Sequence, residues 1–462
     1  MTGATNSNNE ADSLQPIPGN ARVFSLGSYI FMWWSSLIVI QAFVLGQGFL
    51  PPNGSMNLFQ AFLVMVLAVI VAVVMFSLNG EPGNKYGIPY LIQTRSGFGV
   101  RGSKIVEFLR ALPAIAWYGI GTWIAALALD GILNTLVGFT APWAKYAYFG
   151  LLQVVQTALA YGGIRTMKWF NVYGSFVIAA VMIYILVHIL GTHGFQIQES
   201  WRRPAEWGTP FWAGLTTAIG ILATVMLNIS DMTRHLESSP RANWLGHIFG
   251  VIPPWFFMLT LGIIAGASLG IWDPVQALMQ LSPNPAALIV LLAFILVAQF
   301  TTNLTINILP PALIFMDTFK IAWHRAVVIT GVLGILSCPW LLMANMQAFS
   351  GFILYYSALF GPILGVMLAD YYVIRRRQLV VEDLYVTDST SKHWYQGGFN
   401  VAALVAVAVP SVITMIWFLP VSWLIGLPVG FVLYLLLNRR RAAQGSGLDQ
   451  PGGERPLPTQ CR

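Results

Sequence analysis

The chain has 462 residues, of which 56% are hydrophobic and only 9% charged, with 17 Trp and a mean hydropathy of +0.69. Soluble domains carry about a quarter charged residues, so this composition excludes an ordinary soluble protein, and with it disorder, collagen and coiled coil. The net charge of +7 would suit nucleic acid only on a soluble basic face set with aromatics; here the basic residues fall between apolar stretches, and no nucleic acid is expected.

Residues 1–21 are polar, rich in Asn, Ser and Pro, and lack the charged start and short apolar core of a signal peptide, so they read as a flexible tail. Apolar windows then recur near 26–48, 57–78, 108–133, 145–163, 169–191, 212–229, 245–267, 285–306, 326–346, 350–374, 398–418 and 420–437. At about 20 apolar residues per crossing, these are twelve transmembrane helices in one all-α polytopic domain over 22–438. The segment 79–104 is too polar to cross a bilayer but carries Tyr86, Ile88, Tyr90, Leu91, Ile92 and Phe98. It is expected to fold against the helix ends. Residues 439–462 turn basic, then Gly- and Pro-rich, and read as a second flexible tail. Cys338 and Cys461 stand too far apart in sequence to suggest a disulfide framework or a zinc spacing.

The placement of Lys and Arg tests the count, because cytoplasmic loops should hold them. With the N-terminus inside, all but Lys145, Arg202 and Arg203 of the 24 basic residues fall on the inner side. A missed or invented span would scramble that alternation. Twelve spans with both termini cytoplasmic therefore follow, in a cell membrane.

Polar groups at depth are costly and mark function. The eighth window reads Ala298, Gln299, Phe300, Thr301, Thr302, Asn303, Leu304, Thr305, Ile306, Asn307. Asn303 and Asn307 lie four apart on one helix face, where each amide both gives and takes a hydrogen bond, as a planar amide or imide ligand requires. Thr302 and Thr305 offer oxygens for a small cation. The bland alternative is that these residues glue helices together, at about 1 kcal/mol or less each. In the third window Gly121 lies one turn above Trp117, leaving a slot beside the indole where a flat ring could stack; close helix packing is the competing reading. The first window holds Ser35, Ser36 and Gln41, and the sixth Thr216, Thr217, Thr224 and Asn228, with Gly214 and Gly220 able to break the helix. Helices one and six are the pair expected to be discontinuous if inverted repeats are present. Asp130, Asp231 and Asp370 sit near helix ends, and His188 is the deepest His by these windows. No catalytic triad, Walker loop or zinc-protease signature appears, which argues against an enzyme or an ATP-driven pump, and no cofactor is called for.

At these residues the chain resembles the nucleobase-cation symporter-1 family, transporters of cytosine, purines, uracil, allantoin and hydantoins. The resemblance runs from about Phe24 to Asn438. It rests on Asn84-Lys85-Tyr86-Gly87-Ile88-Pro89 and Arg95 to Gly102, Trp117-Tyr118-Gly119, Asn228-Ile229-Ser230-Asp231, Thr301-Thr302-Asn303, Cys338-Pro339-Trp340 and Gly361-Pro362 through Asp370-Tyr371-Tyr372 to Arg377. It implies the leucine-transporter-type fold of two inverted five-helix repeats plus two C-terminal helices. It also implies that Trp117 stacks on the substrate ring, that Asn303 and Asn307 lie at the substrate site, and that Ala298, Thr301 and Thr302 form the helix-eight part of a sodium site. Where the family's hydantoin transporter has a Gln, this chain has Gly121, and where it has a second stacking Trp, this chain has Leu222. The expectation is thus a symporter importing a small planar nitrogen heterocycle down a gradient of Na+, with H+ as the alternative, using Trp117, Gln41, Asn303 and Asn307. The rivals are an amino-acid or quaternary-amine transporter of the same fold, and a non-transporting sensor or channel.

Overall fold

The computed structural model describes residues 14–161, 180, 183–184, 186–192, 194–282 and 284–438. Most of the fifth window, the tails 1–13 and 439–462, Arg165, Lys168 and Cys461 lie outside them. The described residues are helical almost throughout and form no strand. The first span is α1 (Leu26–Leu37) and α2 (Ile40–Gln47), followed by α3 (Leu58–Tyr86), the short α4 (Tyr90–Phe98), α5 (Gly102–Val137) and α6 (Ala144–Tyr161). Beyond the fifth window come α7 (Thr209–Leu227) and α8 (Pro240–Leu269). The eighth span is α9 (Pro285–Thr302), a π-helical turn over Asn303–Ile308, and α10 (Leu309–Phe319). Then follow α11 (Trp323–Leu336), α12 (Met346–Leu368), α13 (Val401–Trp417) and α14 (Ser422–Leu437). Among the described residues six helices are each long and apolar enough to cross a bilayer, and α1 with α2 does so as one bent pair. Outward-facing Ile70, Leu151, Val332 and Ile416 give the bundle its apolar girdle.

Local chemistry sets the ends and the interruptions. α3 opens on a capping box, in which Gln60 N–H donates to Asn57 Oδ1 (2.9 Å) and Asn57 N–H donates to Gln60 Oε1 (3.2 Å). It closes at Gly87, whose φ of +73° suits glycine. The first span breaks at Ile38 and Val39, with a bend of 54° between its halves. Val39 is extended (φ −127°, ψ 143°); three consecutive β-branched residues, Ile38, Val39 and Ile40, weaken the helix at that point. In the eighth span the π turn immediately precedes Pro310 and Pro311, which have no N–H to return to the preceding turn. The span therefore runs on to Phe319 instead of ending at 306.

The sixth span corrects an expectation. α7 passes unbroken through Gly214 and Gly220 and stops only at Asn228. A side chain at Gly220 would overlap Ser357 and Ile353 of α12, so that glycine serves close approach and not a break.

The helices sort into groups. α1, α2, α3, α7 and α8 pack on one another; α5, α6, α9, α10 and α11 form a second body; α12, α13 and α14 pack together against α7. Spans one and two thus join six and seven, while three and four join eight and nine, as two inverted five-helix repeats require.

All the long polar loops on the Lys- and Arg-rich side meet at one end. There α4 is buried along its whole length, and Asn79 Nδ2 donates to the Met226 and Leu227 carbonyls that end α7 (2.7 and 2.9 Å). Residues 14–21, expected as part of a tail, are docked here: Ile17 N–H donates to the Gly87 carbonyl (3.0 Å) and Tyr385 to the Leu14 carbonyl (2.6 Å).

Candidate functional site

A cavity of about 80 Å³ lies beside the break in the first span. Its wall comes from α1 and α2 (Trp33, Ser36, Gln41), α5 (Trp117), α7 (Leu222, Thr224), α8 (Trp255) and the eighth span (Thr302, Ile306, Asn307). Both helical bodies therefore contribute, and no charged side chain is among these lining residues. Seven residues singled out in the sequence meet here: Trp117, Gln41, Leu222, Asn307, Thr302, Ser36 and Thr224.

Trp117 is buried, with its Nε1–H unpartnered among the described residues. Phe349 and Phe352 of α12 stand edge-on to its ring at centroid distances of 5.8 and 5.7 Å, and Trp272 packs on Phe349 at 5.8 Å. None of these three lines the cavity, so the aromatic stack covers Trp117 from the end opposite the basic loops.

The amides take a different arrangement from that expected. Asn303 and Asn307 do share a face, but they bond to each other, Asn307 Nδ2 donating to Asn303 Oδ1 (3.0 Å). The Asn303 amide nitrogen is directed at the second body, within bonding distance of Gln156 Oε1 (2.9 Å), the Tyr118 carbonyl (3.2 Å) and Thr122 Oγ1 (3.3 Å). Fully buried, Asn303 joins spans three, four and eight, and only Asn307 reaches the cavity. Gly121 is also off the wall; a Cβ there would come within 2.5 Å of Asn303 Oδ1 and 2.9 Å of Gln299 Oε1. Its role is to admit those amides.

Sequence reasoning passed over Gln299, which lies four residues before Asn303. The spacing 299, 303, 307 was the available signal, since three carboxamides recur on one face. In the structure Gln41 Nε2 donates to Gln299 Oε1 (2.7 Å) and Gln299 Nε2 to Gln41 Oε1 (3.3 Å). His247 was missed as well. It is fully buried, whereas His188 is only partly covered; position along an apolar window does not report burial between helices. His247 is hydrogen-bonded to Tyr29 (3.0 Å) and Ser77 (3.3 Å), tying α8 to α1 and α3.

For a cation, Thr302 shares the cavity wall with Leu37 and Val39 at the break, where the helix's own hydrogen bonding is interrupted. Ala298 lies one turn before Thr302 and partly buried; the side chain of Thr301 falls outside the described residues. Among the described residues no group of three or more His, Cys, Asp or Glu could hold a metal ion.

Comparison with known proteins agrees with this fold. The family profile described as "Permease for cytosine/purines, uracil, thiamine, allantoin" matches residues 16–438. The allantoin permease of Bacillus subtilis is 26% identical, over 93% of each chain. The hydantoin permease of Microbacterium maritypicum is 28% identical, over 84% of this chain and 79% of its own. Among solved structures, the inward-facing conformation of Mhp1 superposes with a TM-score of 0.83 at 25% identity, over 94% of each chain. The closed conformation of that nucleobase-cation-symport-1 transporter, with bromovinylhydantoin bound, gives 0.80 at 24% identity, over 94% of this chain and 96% of its own.

Proposed function

The chain belongs to the nucleobase-cation-symport family of permeases for cytosine and purines, uracil, thiamine and allantoin, and on that premise we propose that it imports a small, planar, uncharged nitrogen heterocycle by cation-coupled alternating access. A permease moves its cargo without converting it, so no catalytic residue is required. The observation that carries the reading is the cavity at the helix break, where three indoles, two carboxamides and a wholly uncharged wall stand together. A flat ring stacks on Trp117 with Leu222 opposite, and its donors and acceptors meet Asn307 and Gln41. An uncharged lining disfavours a carboxylate or ammonium cargo, because a buried charge needs a partner. Asn303 acts behind Asn307, holding its amide, and Gly121 makes room for Asn303 and Gln299.

The coupling ion in this reading is Na+, held by backbone carbonyls at the break of span one and by the eighth span at Ala298, Thr301 and Thr302. The basic end faces the cytoplasm of a cell membrane, as the positive-inside rule requires, and the Trp272, Phe349, Phe352 and Trp117 stack closes the external path.

A thermal-shift screen of purified protein against uracil, cytosine, allantoin and hydantoin, with and without sodium, tests this directly. A ligand at 100 times its Kd adds about 2.7 kcal/mol of stability, and the shift should grow when sodium is present. Stabilisation by leucine or betaine, with none by the heterocycles, would sink the proposal.

A further inference from the structure

The Gln41 and Gln299 carboxamides form a reciprocal pair, each donating to and accepting from the other (2.7 and 3.3 Å). Both are buried, and they belong to different bodies, Gln41 to α2 and Gln299 to α9. Gln41 reaches the cavity; Gln299 does not. A free Gln side chain holds roughly 1.5–2 kcal/mol of rotamer entropy, and its amide presents donor and acceptor in an order that a half-turn of the terminal torsion reverses. The reciprocal pair removes both freedoms. It uses one N–H and one lone pair of Gln41, leaving a second N–H and a second lone pair in fixed places. The pair fits only because residue 121 has no side chain, since a Cβ there would stand 2.9 Å from Gln299 Oε1.

We propose that Gln299 is a positioning residue for substrate recognition: seated in the notch left by Gly121, it locks the direction of the Gln41 carboxamide at the cavity wall without itself touching substrate. This rests on the transport reading above. Substrate then meets an amide already oriented, so the ordering cost falls at folding and not at binding. The signature is a change in affinity that vanishes when Gln41 is absent.

The test is uptake of radiolabelled allantoin, uracil and hydantoin by cells carrying Q299M, Q41M and the double variant, each normalised to transporter in the membrane. Met keeps the side-chain volume and removes the amide. Q299M is expected to raise KM about tenfold with Vmax within about twofold, the size of one or two well-placed hydrogen bonds. The double variant should match Q41M alone. Q299L, a second replacement that removes the amide, should raise KM in the same direction and keeps the test open if Q299M fails to reach the membrane. An unchanged KM in Q299M, or equal losses from Q299M in the presence and absence of Gln41, would overturn the assignment while leaving the transport function standing. Uptake of none of the three probes by the unsubstituted protein would overturn the function, and this inference with it.

Discussion

The two ends of the helical bundle are held together by different chemistry. At the basic end the fasteners are charged. Arg375 donates to Asp370 (2.9 Å), to the Ser96 carbonyl (3.0 Å) and to Tyr395 (2.9 Å), while Tyr434 donates to Asp370 from α14 (2.8 Å). Glu81 accepts two bonds from Arg377 and one each from Tyr371 and Tyr372. Lys104 bridges Glu107 and Asp317, joining α5 to α10. At the opposite end the fasteners are neutral amides on backbone carbonyls: Asn57 to Arg203 (2.9 Å), Gln60 to Glu206 (2.8 Å), Gln47 to Ile271 (3.0 Å), with Trp272 Nε1 on Met343 (2.7 Å). Membrane topology accounts for the asymmetry, because cations left on one side by insertion are there to be used as struts. The lesson is that one end adds a few ion pairs to its amide contacts and the other relies on small, separable neutral contacts.

Removing one partner of the buried pair is the harshest way to break this contrast. Asp370→Ala strips Arg375 of its counter-charge in a site where Asp370 is 1% exposed, and should cost about 3–5 kcal/mol. Detergent-solubilised protein should then elute as aggregate or melt far below the unsubstituted chain; a melting temperature unchanged within error would show the pair to be dispensable.

A gentler probe of the same end is pH. Burial first, and then the Arg375 guanidinium, push the His393 imidazole down to about 4, with Asp370 and Asp383 pulling the other way. In the unfolded chain a His protonates near 6.5. Between about pH 6.5 and 4 the unfolded state therefore binds more protons than the folded one, and stability falls with falling pH by about 1.4 kcal/mol per unit. His393→Asn should flatten the melting temperature over that window and leave it unaltered above it.

At the neutral end the expected effect is smallest. Asn57→Ala loses the α3 cap and the bond to Arg203, and should cost about 1 kcal/mol, read as a melting shift of a few degrees with no dependence on salt. A loss as large as that of Asp370→Ala would erase the distinction between the ends.

Much of this architecture was legible in the letters, and particular residues show why. Long apolar windows and the alternation of Lys and Arg gave the order of the spans, because hydropathy and insertion act locally along the chain. Trp117, Gln41, Asn307 and Thr302 were identifiable as polar or aromatic departures at depth, and Leu222 only through the family resemblance; all five line one cavity. What spacing alone did not convey was which way a carboxamide turns: Asn303 satisfies spans three and four, and Gln299 finds Gln41, through contacts between residues 147 and 258 positions apart. Glycine misled at position 220, where the neighbour across the interface decides its role. The break expected in span one does occur, but its position at Ile38 and Val39 carries neither Gly nor Pro to mark it.

That break has a mechanical consequence. A glycine joint would let the two half-rods wander over many angles, whereas Ile38, Val39 and Ile40 admit few backbone settings each. Span one should therefore behave as a toggle with a small number of stops. The alternating access proposed above would gain from a joint that clicks and does not drift.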